Sequence, residues 1–224
     1  MDQEEKTLSE KESLDLIARM INKAKDACHD TGISAIMWGA LIAICSLVRL
    51  SELQFGYKLP FDIYLLTLFA VIPQIIFSVR EKKQRKVKNY DDVFMDAIWT
   101  GFGISIFLLI VIMNVMYNQW APAAEEYVKA TGKSSGFRLY EFNAPFFLLL
   151  YGMPTFATGM SMKFRPMLFG GILCWVCCVL SLFTPVKIDL LLLALSSVFA
   201  WLVPGIIMEK DYRKAKRELA ATNV

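Results

Sequence analysis

The chain has 224 residues, of which 56% are hydrophobic, and its mean hydropathy is +0.45. Because about half of the residues at most are apolar in a soluble globular domain, this composition excludes an ordinary soluble enzyme or binding domain. The formal net charge is only +3, so the overall charge does not point to nucleic acid as a partner.

Six stretches that are nearly free of Asp, Glu, Lys and Arg alternate with charged segments along the chain. Each is long enough for one helix to cross a hydrocarbon core about 30 Å thick. The sequence therefore predicts an all-α polytopic bundle of six transmembrane helices, over residues 33–50, 61–79, 97–117, 142–162, 167–184 and 188–208. A cytoplasmic segment, residues 1–32, precedes the bundle, and a basic cytoplasmic tail, residues 209–224, follows it.

Residues 9–28 form the first predicted element, an amphipathic helix with its apolar side chains on one face. The helix opens on a capping box, and its apolar stripe contains Leu14, Ile17, Ile21 and Cys28 and is widened by Leu16 and Met20. The bilayer surface, the bundle itself or a cytoplasmic protein partner could cover this stripe. Residues 1–32 carry eight acidic against five basic side chains, which argues against an anionic leaflet. No cleavable signal peptide is predicted.

The stretch ESLDLIARMINKAKDACHDTGISAIMWG, residues 12–39, resembles an uncharacterised family of bacterial six-span inner-membrane proteins. The resemblance covers 28 of the 224 residues. It implies a bacterial inner membrane as the location, and it brings no activity, ligand or catalytic residue.

The second predicted span runs into a basic block, PQIIFSVREKKQRK, and this block indicates the orientation of the chain. If the six spans alternate, 18 Lys and Arg residues lie on one side of the membrane and six lie on the other. The positive-inside rule then places both termini in the cytoplasm. Basic side chains beside a bilayer are expected to bind lipid headgroups rather than nucleic acid. The predicted headgroup anchors are Arg80, Lys82, Lys83, Arg85, Lys86, Arg213 and Lys214.

Spans two, four and six share a pattern that predicts three tandem helical hairpins. Each begins after an acidic residue that can cap the helix (Asp62, Glu141 and Asp189), and each contains a late proline that is predicted to kink it (Pro73, Pro154 and Pro204). Any three hairpins that obey the positive-inside rule would look alike at this level, so common descent stays open. Glycines are predicted to let helices approach closely at Gly101, Gly103, Gly152, Gly159, Gly170 and Gly171.

Polar side chains that could perform chemistry inside the membrane are few. No Asp, Glu, Lys, Arg or His lies near the centre of a predicted span, whereas proton-coupled carriers and intramembrane enzymes generally keep one there. Gln74 and Asn114 are the candidates for lining a polar cavity, with hydrogen bonding between helices as the alternative. At the far end of the first span, Arg49 and Glu52 can pair or can serve as plain interfacial anchors.

Two short motifs favour structural roles over chemistry. Asp92 and Asp96 share one helical face and could bind a divalent cation, but helix capping is the favoured interpretation. Cys174 and Cys177 form a CxxC in apolar surroundings without a second CxxC, which favours apolar packing over metal or redox chemistry. We therefore predict no catalytic residue, cofactor or metal.

These observations favour a non-enzymatic membrane protein that works by interaction. The leading hypothesis is a sensor or accessory subunit of the inner membrane that acts on a cytoplasmic partner through its terminal helices. The alternative is a small-solute or lipid transporter or channel that uses the proline-kinked helices.

Overall fold

All regular secondary structure is helical in the residues that the computed structural model describes, which are 31–84, 90–132 and 142–222. The all-α prediction is confirmed for these residues. The helices are α1 (Ile33–Phe55), α2 (Leu66–Gln84), α3 (Tyr90–Thr131), α4 (Asn143–Ser161), α5 (Arg165–Ser181), α6 (Val186–Ser197) and α7 (Val203–Thr222). A 3₁₀ turn, Ile63–Leu65, precedes α2, and a π-helical segment, Val198–Leu202, joins α6 to α7 without a break.

In the described residues, four helices are long and apolar enough to cross a membrane, by length and composition, when α6, the π segment and α7 are counted as one continuous helix. They cover Ile33–Phe55, Ile63–Arg80, Val93–Thr131 and Val186–Glu218. The helix α5 is a shorter apolar helix of 17 residues. The helix α4 has 19 residues but is not among the four, because prolines and small polar residues interrupt its apolar character.

Two of the long helices extend past the predicted ends of their spans and stop at a glycine. The helix α1 continues past Leu50 to Phe55, where Gly56 adopts a φ of 73° and donates its N–H to the Glu52 carbonyl. The helix α3 continues 14 residues past Tyr117, and Gly132, with a φ of 66°, ends it in the same way. Because a left-handed φ costs glycine little, both stops are set by the local sequence.

The closest helix pairs are α4 with α5 and α1 with the continuous α6 and π segment. A Cβ on Gly159 would lie 2.4 Å from the Leu168 backbone nitrogen, and one on Gly171 would lie 2.7 Å from that of Phe156. Between the two pairs, a Cβ on Gly170 would lie 2.5 Å from Ala200 Cα. The helices α1, α4, α5 and α6 therefore form the packed centre of the described residues.

The helices α2 and α3 lie at the periphery, where most of their large apolar side chains are exposed. A Cβ on Gly101 or on Gly103, both in α3, would meet no other atom within 4 Å. The predicted close approach is therefore wrong at these two glycines. It is confirmed at Gly159, Gly170 and Gly171, whereas Gly152 packs against the indole of Trp175.

The three tandem hairpins stay a prediction. The most extensive contacts join α4 to α5 and α1 to α6, and each of these pairs combines helices from two different predicted hairpins. The capping role of Asp62 is confirmed, since its carboxylate accepts the Tyr64 N–H at 2.9 Å. Asp189 lies in the first turn of α6, where its carboxylate accepts the Thr184 hydroxyl at 2.5 Å, and Glu141 lies outside the described residues.

Candidate functional site

The first residues of α1 touch the backbone of the π segment and α7 at what we call the glycine crossing. Its members are Gly32, Ile36 and Gly39 on one side and Leu202, Gly205 and Glu209 on the other. Residues spaced by three or four positions share one face of a helix, so the sequence itself aligns each set. A Cβ on Gly39 would lie 2.5 Å from the Leu202 nitrogen, and one on Gly205 would lie 2.8 Å from the Ile36 nitrogen. The two backbones are therefore in direct contact.

The contacts at the glycine crossing show that the two helices run antiparallel. Residue 39 faces 202, residue 205 lies between 32 and 36, and a Cβ on Gly32 would meet first the Gly205 carbonyl and then, at 3.0 Å, the Glu209 nitrogen. Residue numbers therefore fall along one helix as they rise along the other. The chain therefore enters α1 directly beside α7.

Beyond the glycine crossing, α7 continues to Thr222 with two unlike faces. One face, which we call the terminal stripe, is half-buried and contains Met208, Glu209, Tyr212 and Ala215. The opposite face is exposed and basic, with Lys210, Arg213, Lys214 and Arg217. This division follows the helical repeat of the sequence and makes the last part of α7 an amphipathic helix.

Glu209 is the charged member of the terminal stripe. Its Oε1 accepts the Arg213 Nε–H at 2.6 Å, one turn further along α7. Its Oε2 is buried and has no hydrogen-bond partner among the residues that the structure describes. A buried carboxylate oxygen costs free energy unless a donor reaches it, so this atom can receive a further donor.

An aromatic layer fills the space between α3, α4 and the π segment. It consists of Trp99, Phe102, Tyr151 and Trp201, and the closest ring centroids, those of Tyr151 and Trp201, are 4.7 Å apart. The π-helical turn carries Trp201, which is only 4% exposed. Since a π turn changes the angle at which later side chains project, it can aim this indole at α4.

Two hydroxyls of α4 hold the tryptophans of the aromatic layer. Thr155 accepts the Trp201 Nε1–H at 2.8 Å, and Thr158 accepts the Trp99 Nε1–H at 3.1 Å. Each hydroxyl also donates to the carbonyl four residues earlier, at 2.7 Å. Both indole donors are therefore satisfied without water, and these two bonds join α3 and the π segment to α4.

At the other end of α1, the predicted pairing of Arg49 with Glu52 is confirmed, with Nη1 and Oε2 2.8 Å apart. Glu52 is 6% exposed, and its Oε1 accepts the Leu59 N–H at 2.8 Å. Nearby, Lys187 Nζ donates to Gln54 Oε1 at 2.9 Å and ties α6 to α1. Sequence reasoning missed the Leu59 contact, because it depends on the path of the loop after Gly56.

The two residues predicted to line a polar cavity have separate hydrogen-bond partners. Gln74 is half-buried, and its Oε1 accepts the Trp38 Nε1–H at 3.0 Å. Asn114 is exposed, and its Nδ2 donates to the Ile110 carbonyl of its own helix at 2.8 Å. These bonds do not join the two amides into one polar site.

The predicted kink positions lie within helices. Pro73 is inside α2, Pro154 is inside α4, and Pro204 is the second residue of α7. Kinking itself stays a prediction. A fourth proline, Pro122, lies inside α3.

Only some of the predicted headgroup anchors fall on described side chains. Arg80, Arg213 and Lys214 are exposed, as an anchor requires. The backbones of Lys82 and Lys83 belong to α2 but their side chains lie outside the described part of the chain, and so do the whole residues Arg85 and Lys86.

The two motifs with a possible metal interpretation lie apart from the glycine crossing. Asp96 is a half-buried residue of α3, and the side chain of Asp92 is outside the described part. Cys174 and Cys177 are buried in α5 as free thiols. Within residues 31–84, 90–132 and 142–222, no three His, Cys, Asp or Glu side chains come together in a way that could hold a metal ion.

Comparisons of the chain with protein families, with curated proteins and with solved structures give no match.

Proposed function

We propose that the chain is a bacterial inner-membrane protein that crosses the bilayer six times and acts, without catalysis, as a sensor or accessory subunit. In this proposal α4 and α5 are the two additional spans, both termini are cytoplasmic, and the bilayer covers the exposed apolar faces of α2 and α3. The resemblance of residues 12–39 to bacterial six-span proteins supports the location.

One observation carries the interaction role: α7 leaves the apolar bundle as an amphipathic helix beside the entry to α1. From Met208 to Thr222 the helix is about 20 Å long at 1.5 Å per residue. A surface of this kind, next to the start of α1, suits a protein partner in the cytoplasm. The transporter alternative has less support, because Tyr151 and Trp201 are packed in the buried core and Gln74 and Asn114 do not form a joint polar site.

Fusion reporters test the proposed six-span topology. A cytoplasmic reporter is expected to be active after Lys163 and after Val224, and a periplasmic reporter after Gly56, Gly132 and Thr184, because the basic residues divide 18 to six. The fusions after Lys163 and Thr184 isolate the short helix α5 as a span. Activity of the periplasmic reporter after Val224 would refute the orientation.

Affinity purification from native membranes tests the interaction role. Deletion of residues 1–30 is expected to reduce the yield of at least one co-purifying cytoplasmic protein by about tenfold, which corresponds to about 1.4 kcal/mol of binding free energy. The matched control changes the opposite end of the molecule, with Glu125→Lys and Lys129→Glu on the exposed part of α3. Equal partner yields from the full chain and the deletion variant, with both proteins folded, would contradict the proposal.

A further inference from the structure

We propose that the half-buried surface between α2 and α3 binds the ring of a membrane-dissolved quinone. We call this surface the amide recess, and its members are Trp38, Gln74, Trp99 and Phe102. In this proposal Gln74 donates an amide N–H to a carbonyl oxygen of the ring, and the aromatic side chains form the walls. The recess gives the proposed sensor a ligand to detect, and its assignment rests on the proposed placement of α2 in the bilayer.

The amide recess lies where two peripheral helices do not pack on each other. The helix α2 packs on α1 and α3 packs on α4, whereas no extensive contact joins α2 to α3 within the described residues. Both helices nevertheless border one buried core cluster. Trp38, which binds Gln74 of α2, packs against that cluster, and so do Trp99 and Phe102 of α3. Since all four side chains are half-buried, a largely aromatic surface stays partly open there.

The hydrogen bond from Trp38 fixes the orientation of the Gln74 amide. An indole N–H can only donate, so the Gln74 atom 3.0 Å from Trp38 Nε1 is the oxygen Oε1. The two N–H donors of Nε2 therefore turn away from the indole. No acceptor for Nε2 is present among the side chains and carbonyls that the structure describes. A donor without an acceptor costs free energy in hydrocarbon, so a ligand that supplies a carbonyl oxygen is favoured.

The depth of Gln74 indicates which class of carbonyl compound fits. Gln74 precedes the exposed Arg80, a predicted headgroup anchor, by six residues, which is about 9 Å along the helix. Side chains tilt towards the N-terminus of their helix, so the amide points further into the bilayer. The glycerol esters of a phospholipid lie at the edge of the hydrocarbon core, above this level. A quinone has two ring carbonyls and no charge, and its flat ring can pack on aromatic side chains.

Charge supports the same ligand. The helix α2 has no charged residue from Leu66 to Val79, so this part of the recess offers no counter-charge to an ionic headgroup. An uncharged ligand loses little on entering such a surface, whereas an unpaired charge would be costly there.

Quinone binding by the full-length chain in nanodiscs tests the proposal. The probe is a ubiquinone with a saturated ten-carbon tail, and its excess over protein-free nanodiscs of synthetic phosphatidylcholine measures binding. Saturable binding is expected. An alkylbenzene with the same tail lacks the ring oxygens, so it should bind about fivefold to tenfold more weakly, as the loss of one neutral hydrogen bond implies. Equal binding of the two compounds, or no saturable excess of quinone, would overturn the proposal.

Substitution of Gln74 locates the site. Gln74→Leu removes both N–H donors and is expected to abolish the preference for the quinone over the alkylbenzene. Asn114→Leu is the matched control, because Asn114 is exposed on α3 and its amide bonds its own helix, and it should keep the preference. A preference that persists in Gln74→Leu would place the quinone elsewhere and refute the assignment.

A second variant keeps the test decisive if Gln74→Leu does not fold, since that change leaves the Trp38 N–H without its acceptor. Trp38→Phe combined with Gln74→Leu removes both polar groups together, so no buried donor is orphaned. Trp38→Phe alone retains the amide and should still prefer the quinone, whereas the double variant should bind both compounds equally. The same preference in both variants would contradict the role of Gln74.

Nanodiscs of ether-linked phosphatidylcholine distinguish the quinone from a phospholipid ester, because ether lipids have no ester carbonyl. Equal quinone binding in ester-linked and ether-linked nanodiscs supports the proposal. Binding that is found only in ether-linked nanodiscs would mean that lipid esters occupy the recess, and would overturn the quinone as its ligand. Absence of quinone binding, while the fusion reporters show the six-span topology, would overturn this inference alone.

Discussion

Replacing Gly39 with alanine is expected to lower the free energy of unfolding by about 2 to 3 kcal/mol, in the range of overpacked cores. The added Cβ would lie 2.5 Å from the Leu202 nitrogen, an atom of the backbone that no side-chain rotation can move away. The helix α1 and the π segment would have to separate, and the contacts between Gly32, Ile36 and Gly205 would loosen with them. Equilibrium unfolding in detergent micelles or in bicelles measures the change.

Gly103→Ala is the matched control, because it makes the same chemical change in α3 where a Cβ would meet no atom. Alanine has the higher helix propensity by up to about 1 kcal/mol, so this variant should be unchanged or slightly more stable. Equal destabilisation by the two substitutions would mean that the glycine crossing does not hold α1 against α7.

Much of the helical fold could be predicted from the sequence, because long apolar stretches alternate with charged segments along the chain. Apolar length identified the long helices, and the capping role of Asp62 depends on a side chain and a backbone N–H only two residues apart. The pairing of Arg49 with Glu52 is equally local, one turn apart on one helix. Features of this kind are fixed by short-range geometry.

The features that sequence reasoning missed depend on which helices meet. Gly101 and Gly103 lie in an apolar stretch, as Gly170 and Gly171 do, yet only the second pair faces a neighbouring helix. The C-terminal end of α3 lies 14 residues past the predicted end. Gly132, which follows Lys129 and the last helical residue, is typical of a helix stop. For the candidate site, the spacing of Gly32, Ile36 and Gly39 indicates one face of a helix. That Gly205 packs against this face depends on which helices meet, which the sequence alone does not show.

Trp201→Ala has the second large expected effect, a loss of about 3 kcal/mol in unfolding free energy, near the lower end for buried tryptophans. In the proposed membrane setting the unfolded chain stays in lipid, so the loss comes from packing with Tyr151, Phe102 and Trp99 and from the bond to Thr155, with little hydrophobic transfer. Phe107→Ala, at a side chain that is 65% exposed on α3, is the control and should change stability by less than about 0.5 kcal/mol.

Thr155→Val separates the hydrogen bond from the packing. In the native chain it leaves the buried Trp201 N–H without its acceptor, which should cost about 1 to 3 kcal/mol. In a Trp201→Phe background the orphaned donor is absent, so the same substitution should cost markedly less, and the difference is the coupling between the two side chains. Additive effects would mean that the hydroxyl serves only its own helix, through the Tyr151 carbonyl, and that the π segment is held to α4 by ring packing alone.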